Sequence, residues 1–412
     1  MKKISFTIAI ICSLFSAKGA DLIVAEGGQG GAYATINEAI TAAVSGDRIL
    51  IYPKQNGAQY SENITLTNKS LQLLSATEGT YWKLFGNITI TPSSAGMNFV
   101  IQLANITNGD IVYGASSPVG TRTKVSILGC KLDAGNIDFN ANYFDMNISN
   151  NILSNGYVYL RFGRVIGNSI TTTACVHNIY FNNDLVATND INYAVGNYLN
   201  LPNTSCGTTI AGVYINNSNQ YYYIANNFID DDAAWQNPIY VNTSKSGASK
   251  NYIINNSLLH NGSNNTWGLF MGSAASPTEV FNNSIYTGAL STYGFYGVNS
   301  VNSIFGYNYT NLNNGNQFST FINDGTNGVD LTMVMSTTTG EVTTGISIDG
   351  GSPDNGYLDL DLSRNDADCF GGSYSRSNFT QTPTGAITTF VIAPRRVLSG
   401  QTININADGY DR

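Results

Sequence analysis

Short apolar runs alternate with polar corners along most of this chain, and one five-residue pattern recurs at nearly constant spacing. The pattern reads apolar-x-Asn-x-Ile/Leu, and its clearest copies contain Asn168, Asn197, Asn227, Asn256 and Asn283. Successive asparagines differ in position by 29, 30, 29 and 27 residues. A period of this size is typical of a solenoid, in which each repeat buries its apolar face against the next.

The repeat unit predicts strands, because its short runs are rich in Ile, Val, Tyr and Thr and are interrupted by Asn, Gly and Ser. The sequence therefore predicts an all-β fold, a single-stranded parallel β-helix whose coils occupy residues 48–346. The apolar neighbours of each repeat asparagine would point inward. The asparagine itself would form a corner with left-handed backbone and stack on its copy in the next coil.

The two ends of the repeat predict different structures. In residues 20–47, Thr35 and Glu38 have the spacing of a capping box ahead of an apolar helical face, which predicts a short helix that closes one end of the core. Residues 347–384 are rich in Asp and Gly and predict turns. Residues 385–412 contain two strand-like runs, 388–392 and 402–406, which predict a β-hairpin. Two strands cannot bury a core alone, so the hairpin should pack on the stacked coils of the β-helix or pair with another protein.

A signal peptide is predicted at residues 1–19, where two lysines precede an apolar run that ends at Phe15 and is followed by small residues. The run is shorter than the roughly 20 residues that span a bilayer. No later segment of the sequence is long and apolar enough to do so. We therefore expect an exported protein whose mature part has no transmembrane span. It would be located at the cell surface, outside the cell or in the periplasm of a Gram-negative bacterium.

Composition and charge restrict the partners. Charged residues make up 11% of the chain and the formal net charge is −8, so nucleic acid is excluded as a partner because its phosphates would be repelled. A glycan or another envelope protein is the expected partner.

The cysteines predict one disulfide bond. Cys175 and Cys206 are 31 residues apart, which is about one coil, so they could lie one above the other at a spacing that a disulfide accepts. Export would permit the bond. Two buried free thiols are the alternative.

Both ends of the mature chain resemble known secreted proteins. Residues 22–24, the glycine-rich segment 27–31 and residues 33–40 resemble the first turn of pectate-lyase-like β-helix proteins. Residues 359–372 are similar to the Asp/Gly-rich terminus of many secreted bacterial β-helix proteins, although Leu362, Asp368 and Cys369 depart from that pattern. The resemblance implies a right-handed parallel β-helix and an association with acidic polysaccharides.

Candidate catalytic residues are few. Hydrolysis by a carboxylate pair needs two acids that face the scissile bond, and the only acidic run is Asp230, Asp231 and Asp232. A solvated turn after the strand that ends at Ile229 is the favoured interpretation of this run. The Gly-His-Gly and Arg-Ile-Lys segments of β-helix hydrolases do not occur in the sequence.

A lyase would need a basic residue and acidic residues for calcium. The nearest candidates are Arg161 and Arg164, placed on one strand, with Asp133, Asp138 and Asp145 on the preceding coils. Two arginines three residues apart would face opposite sides of a strand and could not both line one cleft. Arg161 is the weaker alternative to the acidic run as a catalytic residue.

One metal site is conceivable in the terminal turn region. Asp359, Asp361 and Asp366 could supply oxygen ligands to Ca²⁺, and no other cofactor is expected. The alternative is a turn in which Arg364 neutralises its acidic neighbours.

Aromatic residues suggest a binding surface, because they are too many to bury inside a narrow coil and aromatic faces suit sugar rings or a partner protein. The candidate binding residues are Tyr221, Tyr222, Tyr223, Trp235, Tyr293 and Tyr296. Aromatic stacks within the ladder of coils are the alternative.

Three functions are therefore compatible with the sequence. The favoured one is a non-catalytic adhesive, structural or glycan-binding β-helix protein at the bacterial cell envelope. The second is a polysaccharide lyase or glycoside hydrolase that acts on an acidic polysaccharide. The third is an accessory subunit of a surface complex that docks through its C-terminal hairpin.

Overall fold

The structure is a computed structural model, which describes residues 19–186, 190–202, 204–216, 219–231, 235–243, 245, 247, 249–261, 266–272, 276–288, 293–297, 303–313, 317–319, 325–379, 386–392 and 405–411. The predicted signal peptide lies outside these residues, apart from Gly19. No helix in the described ranges has the length and apolar character needed to cross a membrane.

Consecutive strands belong in turn to three parallel sheets, so that every third strand pairs with the strand one coil earlier. Among the described residues the first sheet has 12 strands, the second 12 and the third 11. This architecture is the all-β, single-stranded right-handed parallel β-helix predicted from the repeat.

The strands are short, and their bounds follow the apolar runs of the sequence. The first sheet contains Asp21–Val24, Arg48–Ile51, Gln72–Ser75, Asn98–Gln102, Thr123–Leu128, Phe144–Ser149, Gly163–Ile166, Ile191–Val195, Tyr221–Ala225, Asn251–Ile254, Thr278–Phe281 and Ile304–Gly306. The second sheet contains Tyr60–Ser61, Trp82–Phe85, Ala104–Thr107, Lys131–Asp133, Ile152–Ser154, Ser169–Thr171, Tyr198–Asn200, Phe228–Asp231, Ser257–His260, Ser284–Tyr286, Tyr309–Thr310 and Gly328–Val329. The third sheet contains Ile64–Leu66, Ile88–Ile90, Ile111–Tyr113, Ile137–Phe139, Val158–Leu160, Ile179–Asn182, Ile210–Asn216, Gln236–Thr243, Trp267–Met271, Tyr293–Gly297 and Phe318–Ser319.

The remaining elements close the ends or connect strands. The α-helix Ile36–Ala42 has the predicted capping box, in which the Thr35 hydroxyl accepts the Glu38 N–H and the Glu38 carboxylate accepts the Thr35 N–H. The 3₁₀-helices are Glu26–Gly31, Gln55–Gly57 and Arg376–Phe379. Two antiparallel pairs follow the stacked coils, Val334–Met335 with Val342–Thr344 and Ala386–Ile392 with Asn406–Asp411. The C-terminal antiparallel pair is thus present at Ala386–Ile392 and Asn406–Asp411, whereas residues 402–404 of the predicted second strand lie outside the described residues.

An asparagine ladder runs inside the corner between the first and second sheets. After the first member, each Oδ1 accepts the backbone N–H and a side-chain N–H of the asparagine one coil earlier, at 2.8–3.1 Å. Each side-chain amide also donates to a backbone carbonyl of an earlier coil, at 2.7–3.2 Å. The ladder consists of Asn151, Asn168, Asn197, Asn227, Asn256, Asn283, Asn308 and Asn327.

The left-handed residue of each corner is the one before the ladder asparagine, which corrects the prediction that the ladder asparagine itself has left-handed backbone. The residues with positive φ are Asn150, Gly167, Gly196, Asn226, Asn255, Asn282 and Tyr307. The prediction was wrong because an asparagine that turns the chain outward cannot also point its amide into the stack. Two adjacent residues share the two tasks.

The segment from 330 to 379, which we call the strap, runs back along this corner and covers apolar side chains on two outer faces. On the second sheet, Met333, Met335 and Cys369 pack against Phe228 and Leu259. On the first sheet, strap residues cover Ile166, Val195, Tyr223 and Ile254, with Tyr357, Tyr374 and Phe379 as the covering rings. On the first and second sheets, the strap therefore buries outer apolar side chains of the later coils in addition to the inner ones.

The outward-turned corner residues hold the strap. The Asn226 amide donates to the carbonyl oxygens of Cys369 and Gly371 at 3.1 and 2.6 Å. The Asn255 amide donates to Asn365 Oδ1 and to the Asp366 and Asp368 carbonyls at 2.8, 2.9 and 3.2 Å. The Asn282 Oδ1 accepts the Ser352 N–H at 2.8 Å. In these three Asn-Asn pairs, the side chain of the first asparagine contacts the strap outside the coil. The side chain of the second belongs to the ladder inside it.

The predicted disulfide between Cys175 and Cys206 is present, with a Cα–Cα distance of 5.4 Å. Replacing both cysteines by serine is expected to lower the free energy of unfolding by about 3 kcal/mol, because the bond closes a loop of about one coil. Denaturant unfolding of the variant and of the oxidised protein measures the difference. A reducing agent should lower the midpoint of the wild type and leave the variant unchanged, and an equal effect on both would contradict the assignment.

Candidate functional site

A continuous row of aromatic side chains lies on the outer face of the third sheet. Strand alternation places these side chains outward, because their sequence neighbours, such as Val158 and Leu160 or Ile179 and Phe181, are fully buried in the core. Parallel in-register pairing stacks each ring on its counterpart one coil away. This row, the aromatic stripe, consists of Tyr159, Tyr180, Tyr214, Tyr240, Phe270 and Tyr296, all of them half-buried.

The rings of the stripe adopt two geometries. In the later coils they stack face to face, with Tyr240 and Phe270 at 4.5 Å and 11° and Phe270 and Tyr296 at 4.7 Å and 1°. Tyr180 breaks the stack, because it is edge-on to both Tyr159 and Tyr214, at 89° and 75°. Stacked rings cover each other's faces and present their edges, whereas the two stripe neighbours of Tyr180 do not stack on it.

Further rings widen the stripe. Trp267 stacks on Tyr293 at 4.4 Å and touches Tyr296 at 4.8 Å. At the other end His177 stacks on Tyr214 at 4.2 Å, and its Nδ1 accepts the Ala211 N–H at 3.0 Å. Burial lowers the pKa of His177 to about 4, so the ring is neutral at pH 7 and its proton is on Nε2. Two of the predicted binding residues, Tyr293 and Tyr296, therefore belong to this surface.

Polar side chains border the earlier part of the stripe. The Asn182 amide donates to Asn140 Oδ1 at 3.0 Å, and the Asn216 amide lies 3.4 Å from the Tyr180 hydroxyl. Amides supply both donors and acceptors, which is the inventory that neutral sugar hydroxyls require. The third sheet therefore offers apolar ring surface and amide groups side by side.

Arg161, the candidate lyase base, lies beside these amides after the strand Val158–Leu160. Its guanidinium donates to Asn140 Oδ1, Asn142 Oδ1 and the Asn183 carbonyl at 3.2, 3.0 and 2.9 Å. Those bonds tie three coils together. Arg164 lies on the first sheet, so the two arginines do not share a strand, contrary to the prediction.

The acidic run is buried, which corrects its interpretation as a solvated turn. Asp231 is 0% exposed and Asp230 is 8% exposed, and both lie within the strand Phe228–Asp231. Asp231 Oδ2 is 2.7 Å from Nδ1 of His260, which is also fully buried and opposite Asp231 in register. The pair extends the inward row of the second sheet. Asp232 lies outside the described residues. Asp230 and Asp231 do not face solvent in the way that polysaccharide hydrolysis needs.

The remaining predicted binding residues lie elsewhere. Tyr221, Tyr222 and Tyr223 are 3%, 1% and 8% exposed, on the first sheet. Tyr222 points into the core, and the Tyr223 ring packs near Tyr374 of the strap. The expected exposure is wrong for different reasons: Tyr222 points inward, Tyr221 lies against Lys245 and Gly247, and the strap covers Tyr223. Trp235 is 40% exposed and lies immediately before the third-sheet strand Gln236–Thr243, outside the row of the stripe.

The three terminal aspartates have different surroundings. Asp359 accepts the Asp366 and Gly372 N–H groups at 3.1 and 2.5 Å, and Asp366 Oδ1 accepts the Asp349 N–H at 2.7 Å. Asp361 faces solvent and accepts the Ser363 N–H at 2.9 Å. Arg364 donates to the carbonyls of Gly351 and Gly350. In the described ranges no group of three or more His, Cys, Asp or Glu side chains could hold a metal ion. Calcium binding by Asp359, Asp361 and Asp366 stays a prediction.

A buried carboxyl makes the strap sensitive to pH. Burial raises the pKa of Asp368 to about 7, against the lowering effect of three backbone N–H donors from Val342, Phe370 and Gly371. The folded chain keeps this proton to higher pH than the unfolded chain does, so the stability gained from the group is present below about pH 4 and lost as pH rises toward 7. In Asp368→Asn this loss should disappear. Thermal unfolding between pH 5 and 8 compares the variant with the wild type, and parallel pH profiles would contradict the assignment.

Sequence reasoning missed most of the aromatic stripe, although a signal for it exists. Each stripe residue from Tyr159 to Phe270 lies between two apolar residues in an apolar-aromatic-apolar triplet, as in 158–160, 179–181, 213–215, 239–241 and 269–271. Aligned on the repeat, these triplets place an outward ring in each of these five coils.

Comparison of the sequence with models of known protein families and with curated proteins found no match.

Proposed function

We propose that this chain is an exported, non-catalytic glycan-binding β-helix protein of the bacterial cell envelope, with an adhesive or structural role, and that the aromatic stripe is its binding surface. The observation that carries the proposal is the continuity of the stripe, which extends over six successive coils of the third sheet with half-buried rings in each. Isolated exposed rings are ordinary on a protein surface, whereas a contiguous aromatic patch indicates a binding site.

The dimensions of the stripe favour an extended ligand. Neighbouring coils are separated by the strand spacing of about 4.8 Å, so a linear polysaccharide that follows the helix axis would meet one ring in each coil. Sugar rings would contact the exposed part of Tyr180 and the ring edges of the later coils. Their hydroxyl groups would reach the amides of Asn182 and Asn216. Each contact is weak alone, and affinity would come from their number along the chain.

Export is part of the proposal. It is supported by the apolar leader in the sequence, by the disulfide of Cys175 and Cys206, which persists in oxidising compartments, and by the resemblance to pectate-lyase-like secreted proteins.

A glycan array tests the proposal. The labelled protein should be retained by a set of linear oligosaccharides, with retention increasing with chain length because longer chains meet more rings. Absence of binding to every saccharide on the array would contradict the proposal.

The enzyme alternative is tested on the same saccharides. Burial of Asp230 and Asp231 and the engagement of Arg161 favour binding without cleavage. We expect no new reducing ends and no absorbance from unsaturated uronate products. Turnover of a saccharide would replace the proposal with a lyase or a hydrolase. Recovery of an envelope protein only when residues 385–412 are present would favour the accessory subunit instead.

A further inference from the structure

The outer face of the first sheet has two halves of different character. In the later coils its middle row consists of Tyr193, Tyr223 and Tyr252, which pack in the apolar cluster beneath the strap. In the earlier coils the same row continues as Ser126, Asn147 and Arg164. The strap ends at Phe379, whose ring lies next to Gly167 and Gly196. The described strap therefore covers the apolar half of this face and leaves the polar half uncovered.

A depression of about 460 Å³ lies on the polar half. Four amide side chains line it, Gln72, Asn98, Gln102 and Asn147, and Gly409 of the C-terminal hairpin lies at its rim. The volume is within the range of small-molecule sites, and it suits one or two sugar rings better than a long chain. The amides can donate to and accept from ring hydroxyls.

The charged side chains of the depression favour a ligand with a negative charge. Lys124, Asp145 and Arg164 line it, and Asp145 is opposite Lys124 in strand register while Asn147 is opposite Arg164. Two cations and one carboxylate give a local charge of +1, in a chain of net charge −8. The planar fork of an arginine matches a carboxylate group in two parallel hydrogen bonds.

We propose that this depression binds a carboxylate-bearing sugar at the end of a glycan. Lys124 and Arg164 attract the carboxylate, and the amides of the sheet select the hydroxyl pattern. The site is on a different face from the aromatic stripe, and it would recognise a terminal residue where the stripe follows a chain. It does not depend on the proposed function of the stripe.

Calorimetric titration of the full chain with sialyllactose and with lactose tests the proposal, because the two probes differ only in the terminal acidic sugar. Sialyllactose should bind and lactose should not. Arg164→Gln and Lys124→Gln should each weaken sialyllactose binding by roughly tenfold, as expected for loss of a charge-assisted hydrogen bond. Equal binding of both probes, or no binding of sialyllactose, would overturn the proposal.

A variant that is expected to bind sialyllactose more tightly separates loss of recognition from a folding defect, because a folding defect would only weaken binding. Asp145→Asn removes the negative charge beside the two cations, so it should tighten sialyllactose binding severalfold. Lys83→Gln makes the same charge change as Lys124→Gln on the second sheet and should have no effect, and Tyr180→Ala should likewise leave this binding unchanged. Weakening by Asp145→Asn or by Lys83→Gln would overturn the assignment of the site.

Discussion

Asn227→Ala is expected to lower the free energy of unfolding by about 4 kcal/mol. The Asn227 side chain accepts the backbone N–H and an amide N–H of Asn197, and it donates to Asn256 Oδ1 and the Ala194 carbonyl. All of these groups are buried, so the alanine variant leaves several donors and acceptors without partners. Each unsatisfied buried group costs about 1–3 kcal/mol, and partial rearrangement reduces the sum.

Chemical denaturation measures the loss, and Asn242→Ala is the matched control. Asn242 is exposed and interacts at the surface of the third sheet, so its removal should change stability by less than about 0.5 kcal/mol. If the two variants lose equal stability, the buried ladder is not what holds the coils in register.

Deleting residues 348–412 is expected to have the largest effect on the fold. The deletion removes the strap residues that cover Tyr223, Ile254, Val195 and Ile166 on the first sheet. Each large apolar side chain returned to water costs about 2 kcal/mol, so these four cost about 8 kcal/mol, which is comparable to the whole stability of a typical domain. The truncated chain should aggregate or bind a hydrophobic dye strongly.

A shorter deletion serves as the control. Removing residues 380–412 keeps the strap and its bonds to Asn226, Asn255 and Asn282, so this variant should remain soluble and unfold within a few degrees of the full chain. Dye binding and thermal unfolding distinguish the two deletions. If the 1–347 fragment is soluble and folds cooperatively, residues 348–379 of the strap are not needed to complete the core of the β-helix.

The repeat and the capping helix could be predicted because their causes are local or periodic. A five-residue pattern with a period near 29 residues specifies stacked strands, and the capping box depends on two residues three apart. The disulfide followed from the same period. The strap could not be predicted, because its bonds join residues more than 100 positions apart, such as Asn226 with Cys369. Composition in the terminal region indicates turns but not where those turns pack.

The errors in the candidate site have the same origin. Tyr223 was expected at the surface because a single coil cannot enclose it, and it is buried because a distant segment returns to cover it. Asp231 was expected in a solvated turn because a run of acids is usually exposed, and it is buried with His260 from the next coil as its partner. Tyr296 lies on the open third sheet as one of several rings. Exposure on a β-helix is decided by which faces other segments cover.

The outer surface of the β-helix is divided into three regions of different character. The later coils of the first and second sheets are covered by the strap, the earlier coils of the first sheet carry a polar depression, and the third sheet carries the aromatic stripe. The stripe is the part on which the proposed function depends.

The role of the stripe is tested most directly by measuring how tightly the Tyr180→Ala variant binds an oligosaccharide. The ligand is the longest neutral oligosaccharide that the array retains. Tyr180 is chosen because its ring is half-buried on the outer face of the third sheet and its hydroxyl lies 3.4 Å from the Asn216 amide. Loss of one aromatic contact of about 1 kcal/mol should weaken binding by roughly fivefold, while Phe85→Ala, which removes an exposed ring from the second sheet, should not change the Kd. An unchanged Kd in Tyr180→Ala, or equal weakening in Phe85→Ala, would contradict the assignment of the third sheet as the glycan-binding surface.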